Sequence, residues 1–229
     1  MKNIIFISEN LNKEFYKYIE KYDYEIVKIK KSTNTYESIS SHPDIFVFST
    51  DKKIIVDESI YKNLKNKFGD IIIKGDSIVS NKYPNNIFYN VAKVGEFAIH
   101  NVKYTDKKII DYSNFKWINV NQGYSKCNTL VVDDNSIITS DIGIYKEVIK
   151  VGINALLIRS GHIILKGLDY GFIGGTAVRI NNEIIFYGNI EQHPDYNKIS
   201  EFIKSRNLNI KSFQFELEDI GSCIKFKRN

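Results

Sequence analysis

Hydrophobic and polar positions along this chain come in short bursts, and the bursts follow a repeating order. The clearest run covers residues 122–158. TLVV and SIIT flank a polar turn at 133–135 and read as two short strands. Ser140 or Asp141 then caps a helix that runs to Lys150, Gly152 stops it, and ALLI returns as a third strand. Strand, turn, strand, helix, strand recurs at a spacing of roughly 40–50 residues, which is a repeat period.

One unit earlier, residues 44–50 and 54–56 pair across a turn at 51–53. Asp57 or Ser59 caps a helix to Phe68, Gly69 ends it, and 70–74 returns. Residues 76–120 are less regular. There 87–90, 96–104, 108–112 and 115–120 read as strands, 105–107 as a hairpin turn, and no helix is evident. A short extra strand is expected at 161–165. In the next unit 176–180 and 183–187 form a hairpin, His193 caps, Pro194 takes the first helical position, the helix runs to Arg206, and 209–215 returns. At the N-terminus, 3–8 and 24–29 read as strands around a helix over 11–22 capped by Asn10 or Asn12. At the C-terminus, 223–227 opens the pattern once more and stops. The two ends complete one another. The expectation is a single α/β domain over residues 1–229: a five-bladed α/β-propeller of ββαβ repeats, closed by joining the terminal strands in one blade. Closure leaves no end unit, and neighbouring units bury the helix faces that one unit alone cannot.

Composition narrows the class. A 229-residue chain with 43% hydrophobic residues can build a sizeable core. With 13% aromatics and three prolines it is not a disordered chain. No apolar run reaches the roughly 18 residues of a membrane span. The opening MKNIIFISEN is too short in its apolar part for a signal-peptide core and reads as a strand, so the expected location is the cytoplasm. Two cysteines, Cys127 and Cys223, fit free thiols in a reducing compartment. The net charge of +5 comes from lysines spread over the whole length, which argues for a solvated surface over a nucleic-acid stripe. No His, Cys or carboxylate cluster has metal-ligand spacing. The glycines of GFIGG (171–175) lack the phosphate-loop pattern and read as a tight turn.

A five-unit ββαβ ring in this order resembles the pentein fold of the guanidino-group-modifying enzymes, which non-catalytic ribosome anti-association factors share. The nearest local likeness is to the dimethylarginine dimethylaminohydrolases. HPDIFVF (42–48) resembles their first-unit Pro-Asp strand, SKCN (125–128) the strand carrying their catalytic histidine, and SCI (222–224) the site of their nucleophilic cysteine. The position matching their histidine is Gln122. DIGIYKEVIK, VGINALLIRSGHIIL and YGFIGG also resemble a bacterial branch of the same fold.

In such a ring the starts of the first strands converge on the axis: His42 and Asp44, Asn90, Cys127 and Asn128, Gly174 to Thr176, Ser222 and Cys223. The resemblance implies Cys223 as nucleophile, which needs a nearby base or cation to lower its pKa. The alternative is a buried, inert thiol. His42 is the histidine at an axis-facing start. It is either the general base or a turn residue before Pro43. Asp44 either orients His42 and holds a cationic substrate, or caps its own strand. Gln122, Asn128, Gly174 and Gly175 are the candidate substrate contacts. Cys127 reads as strand core, His162 as a solvent-facing strand residue, and His193 as a helix cap. Two functions follow. One is a cofactor-free hydrolase of a guanidino or amidine small molecule. The other is a non-catalytic module that binds a protein, a ribosome-like surface or a small ligand. A nucleic-acid binder ranks last. The oligomeric state is left open.

Overall fold

The computed structural model describes residues 2–228. Along the chain the strands are β1 (Asn3–Ser8), β2 (Tyr24–Ile29), β3 (Val47–Ser49), β4 (Ile54–Val56), β5 (Ile72–Lys74), β6 (Ala92–Val94), β7 (Phe97–His100) and β8 (Lys116–Asn119). They continue as β9 (Thr129–Asp133), β10 (Ser136–Thr139), β11 (Asn154–Leu157), β12 (Ala177–Ile180), β13 (Glu183–Phe186), β14 (Asn209–Lys211) and β15 (Ile224–Phe226). The helices are α1 (Lys13–Ile19), α2 (Pro43–Phe46), α3 (Glu58–Phe68), α4 (Lys107–Asp111), α5 (Ser125–Asn128), α6 (Ile142–Lys150) and α7 (Tyr196–Lys204).

Among the described residues these strands form five three-stranded sheets, all wired alike. In each, the first strand runs antiparallel to the second, and the second runs parallel to the third: β3-β4-β5, β6-β7-β8, β9-β10-β11 and β12-β13-β14. The helix of the unit lies between its second and third strands, as a parallel pairing requires. The last sheet is built from both chain ends. Its first strand is β15, which pairs antiparallel with β1 in the register Ile4 to Phe226, Ile5 to Lys225 and Phe6 to Ile224. β1 then pairs in parallel with β2.

Side-chain capping explains where the helices start. Asn12, Asp57, Asp106 and Asp141 each accept a backbone N–H in the first turn, from Glu14, Ser59, Lys108 and Ile144, at 2.8 to 2.9 Å. Two caps do more. Asp57 also accepts from the Val79 N–H at 2.8 Å and Asp106 from the Ser77 N–H at 2.6 Å. Both aspartates are fully buried, so these caps also fasten the long 75–91 loop to two units. The middle strands Ile54–Val56 and Glu183–Phe186 bury all or nearly all their side chains, which is why they read as continuous apolar runs. Among the described residues no helix is long and apolar enough to cross a membrane.

The sequence reading of 76–120 needs correction. A helix is present: α4, capped by Asp106, occupies the place assigned to a hairpin turn and a strand. Only Ile109 of its five residues is buried, so it offers no three-and-four periodicity to find. Residues 87–90 are a turn leading into β6, and the strand expected at 96–104 ends at His100. At 161–165 there is no strand, only a single parallel bridge from Ile164 to Glu218.

A second correction bears on the site. Pro43–Phe46 and Ser125–Asn128, read as strand, are one-turn helices that immediately precede the first strands β3 and β9. A 3-10 turn, Ile173–Gly175, does the same for β12. Pro43 fits the first helical position, where its missing N–H costs nothing. These turns lift His42, Asp44, Lys126 and Cys127 off the strand ladder. The first strands also neighbour one another: β15 lies against β3, and β6 and β12 flank β9.

Candidate functional site

The helical turns meet in a buried polar cluster. Asp44, fully buried on α2, accepts a hydrogen bond from the Cys127 thiol at 3.1 Å. Asn90, fully buried just before β6, fixes the approach of α5. Its Oδ1 accepts from the Lys126 N–H at 2.8 Å and the Cys127 N–H at 3.2 Å. Its Nδ2 donates to Cys127 Sγ at 3.1 Å and to the Asp44 carbonyl at 3.3 Å. The partly buried Lys126 directs Nζ to Ser222 Oγ at 2.7 Å and to the Gly174 carbonyl at 3.2 Å. Its ammonium faces Asp44 and Asp219 and both thiols, while burial lowers its pKa.

The C-terminal loop closes the cluster through a left-handed turn. Gly221 has φ +72° and Ser222 φ +62°. The Gly221 carbonyl accepts from the Asp44 N–H at 3.2 Å. A Cβ on Gly221 would lie 2.2 Å from the His42 Cβ, so only glycine lets the loop approach α2 this closely. Asp219 accepts from the Gly221 and Phe172 N–H groups, each at 2.9 Å, and stands 3.9 Å from His42 Nδ1. Among the described residues, His42 Nδ1 and Asp44 Oδ1 are buried with no hydrogen-bond partner. Unsatisfied buried polar atoms are costly, so these two mark a strained point in the cluster.

Over this cluster lies a cavity of about 230 Å³. His42, Cys127 and Asp219 line it together with Tyr36, Tyr124 and Phe172. The two tyrosine hydroxyls bond each other at 3.0 Å. Aromatic faces beside carboxylates favour a flat cation. Burial disfavours the charged form of each group: it lowers His42, raises Asp44 against the pull of His42 and Lys126, and raises Cys127 well above a free thiol, with Asp44 adding to the rise.

Asp219 is pushed by burial to about 6, against the pull of its two backbone donors. An unfolded aspartate titrates near 3.8. Between these values the folded chain holds the extra proton, so the contribution of Asp219 to stability falls as pH rises from about 4 to 6, by roughly 3 kcal/mol. Asp219→Asn removes that dependence. In urea unfolding, its cost relative to wild type is therefore largest near pH 4 and shrinks through about pH 6. A cost independent of pH would contradict an enclosed Asp219 carboxyl.

The remaining candidate residues fall in different places. Cys223 is buried, its thiol pushed up to about 12 by burial although Lys126 and Lys225 pull it down. It lines a second, larger cavity and not the one with His42. Gln122 braces the backbone, donating to Asp141 at 2.9 Å and accepting from the Tyr124 N–H at 3.0 Å. Asn128 donates to the Tyr124 carbonyl at 3.2 Å. Neither residue lines either cavity. Gly174 and Gly175 allow close packing: a Cβ would meet the Lys126 carbonyl oxygen at 2.3 Å and Asp219 Oδ1 at 1.8 Å, respectively. His100 is a structural residue, bonded to Thr105 Oγ1 at 2.7 Å and the Gly123 carbonyl at 3.0 Å. His193 accepts from the Asp195 N–H at 3.1 Å, just before α7. Sequence reasoning gave no role to Asp219 and Lys126, although both lie in motifs singled out for their neighbours. It missed Tyr36 and Tyr124 altogether.

This arrangement of five three-stranded sheets has the fold of solved pentein structures. The chain belongs to a family of unknown function, DUF6873, whose model matches residues 6–224. A search of curated proteins gave no match. Solved structures match over nearly the whole chain. The dimethylarginine dimethylaminohydrolase of Pseudomonas aeruginosa, in a complex with citrulline, is 10% identical with a TM-score of 0.62, covering 99% of this chain and 100% of its own. The agmatine deiminase of C. jejuni is 13% identical with a TM-score of 0.56, covering 98% and 81%. The cyanobacterial arginine dihydrolase ArgZ is 7% identical with a TM-score of 0.63, covering 100% of this chain and 40% of its own. At such identities the likeness establishes the fold.

Proposed function

We propose that this chain is a single-domain, five-bladed pentein ring whose hub binds a small guanidino- or amidine-bearing molecule and hydrolyses a C–N bond through a cysteine. The ring reading rests on contacts between successive first strands. Ser49 Oγ donates to the Lys225 carbonyl at 2.6 Å, Lys225 Nζ to the Arg179 carbonyl, and Lys93 pairs with Asp51. The observation that carries the function is that a thiol, an imidazole and the Asp219 carboxylate line one aromatic-walled cavity, with the Asp44 carboxylate bonded to that thiol. Solved structures that share the fold include a dimethylarginine dimethylaminohydrolase, an agmatine deiminase and an arginine dihydrolase.

The chemistry needs no cofactor. Asp44 takes the thiol proton, sulfur bonds to the central carbon of the amidinium, and the C–N bond breaks as the amine leaves with a proton. Water then adds to that carbon and the C–S bond breaks, which restores the thiol. The cation itself favours the thiolate, since an opposite charge within about 4–6 Å lowers a pKa. The resemblance points to Cys223 as the nucleophile, with His42 as base and Asp44 as anchor. The cavity favours Cys127, because that thiol shares it with His42.

Amine release from a panel of arginine-like and amidine compounds tests the reading. With turnover present, Cys127→Ser loses about 100-fold or more and Cys223→Ser keeps most of its activity. The reverse order would return the nucleophile to Cys223. One observation favours a second reading, a non-catalytic binder: burial holds both thiols neutral. Thermal stabilisation by a panel member without turnover, with slow alkylation of both cysteines by iodoacetamide at about pH 6, would select it.

A further inference from the structure

The larger cavity, of about 960 Å³, runs along the first strands and shares no lining residue with the aromatic cavity. Its charge is unbalanced. Lys93, Lys126, Arg179, Lys225 and Lys227 line it, against Asp51, Asp133 and Asp134. Two of those carboxylates are engaged: Asp51 pairs with Lys93, and Asp133 lies 3.9 Å from Arg206, which is outside the lining. Among the described residues no ion pair reaches Lys126, Arg179, Lys225 or Lys227.

Lys225 is the telling member. It sits on β15, where the alternation of the strand sends its neighbours Ile224 and Phe226 into the core. Its Nζ donates to the Arg179 carbonyl, which leaves two of three N–H donors free for another group. The Arg179 guanidinium beside it donates through Nε to the Asn181 carbonyl at 3.2 Å. Burial and the Arg179 charge together pull Lys225 down to about 8. Two cations held close together at a cavity wall, with donors to spare, are what an oxyanion requires.

We propose that this cavity binds a small anion bearing phosphate or carboxylate groups, gripped by Lys225 and Arg179 with further charge from Lys126 and Lys227. The volume is at the upper end of ordinary ligand sites, so the natural ligand is larger than inorganic phosphate. Lys126 also belongs to the polar cluster beside the aromatic cavity, but the grip assigned to Lys225 and Arg179 does not depend on what that cavity does.

Isothermal titration of the full chain with inorganic phosphate, pyrophosphate and citrate at low ionic strength tests it. Saturable one-to-one binding is expected with pyrophosphate or citrate, whichever matches the natural anion. Tighter pyrophosphate binding would assign phosphate chemistry, and tighter citrate binding a polycarboxylate. Lys225→Met and, separately, Arg179→Met weaken it about tenfold or more, the loss expected for one charge-assisted hydrogen bond. Lys62→Met, on the exposed surface of α3 and outside the cavity, leaves it unchanged. Thermal melting of each variant separates lost binding from lost folding, and Arg179→Met carries the test if Lys225→Met unfolds. No saturable binding by any of the three anions, or equal weakening in Lys62→Met, would overturn the assignment.

Discussion

A chain cut after Cys223 loses its cooperative fold. The cut removes β15, and with it the antiparallel partner of β1. Ile224 and Phe226 are 8% and 4% exposed and join the core around β3 and β4. Burying two such side chains is worth about 3–6 kcal/mol, before the lost ladder bonds are counted. That is a large part of the roughly 5–15 kcal/mol that holds a domain together. The cut also removes the link between β3 and β12, since Lys225 bonds both Ser49 and Arg179. A chain ending at Phe226 keeps these contacts and serves as the control. Thermal unfolding followed by far-ultraviolet circular dichroism should show a sharp transition for the control and none for the shorter chain. Equal melting temperatures would mean that the terminal strand is dispensable.

Gly221→Ala carries a large expected cost at the site itself. The residue sits at φ +72°, where a side chain costs about 1–2 kcal/mol by backbone sterics alone. The added methyl would also lie 2.2 Å from the His42 Cβ and 2.5 Å from its Cα. That atom is backbone, in the residue that caps the start of α2, so relief needs movement of the whole turn. The sum is about 3 kcal/mol or more, in the range of overpacked cores. Gly152→Ala separates the two effects: its φ is +84°, yet nothing lies within 4 Å of the added atom. It should cost only the backbone part, about 1 kcal/mol. Calorimetric melting of the two variants reads the difference directly. If they melt alike, Gly221 is there for the turn alone and His42 is not clamped.

Much of the architecture was legible because the units that carry it are amphipathic in a standard way. The 129–158 stretch shows its hairpin, its Asp141 cap and its Gly152 stop in the order the sequence predicts. The pairing of the two ends was legible from the unfinished pattern at 223–227 and the matching half-unit at 3–29. The one-turn helices were not. Four residues contain no period, and PDIF and SKCN each run straight into a strand. Yet those turns decide which side chains face the aromatic cavity. Cys127, read as strand core, reaches it because α5 rotates the chain just before β9. His42 and Asp44 were found because they stand at a strand start. Asp219 and Lys126 were passed over because the contacts that tie them into the cluster, from Asp219 to Phe172 and from Lys126 to Gly174 and Ser222, span 47 or more residues of the chain. No local pattern can signal a contact of that range.

The claim on which the functional account rests is that a flat cation enters the aromatic cavity and meets a thiol there. Peptide mapping after treatment with a chloroacetamidine, an electrophile carrying its own amidinium, tests it most directly, with neutral iodoacetamide as reference. The account predicts modification of Cys127, faster than by iodoacetamide, and slowed when Asp219→Asn removes a carboxylate from the cavity wall. Equal rates for the charged and neutral reagents, or modification confined to Cys223, would contradict it.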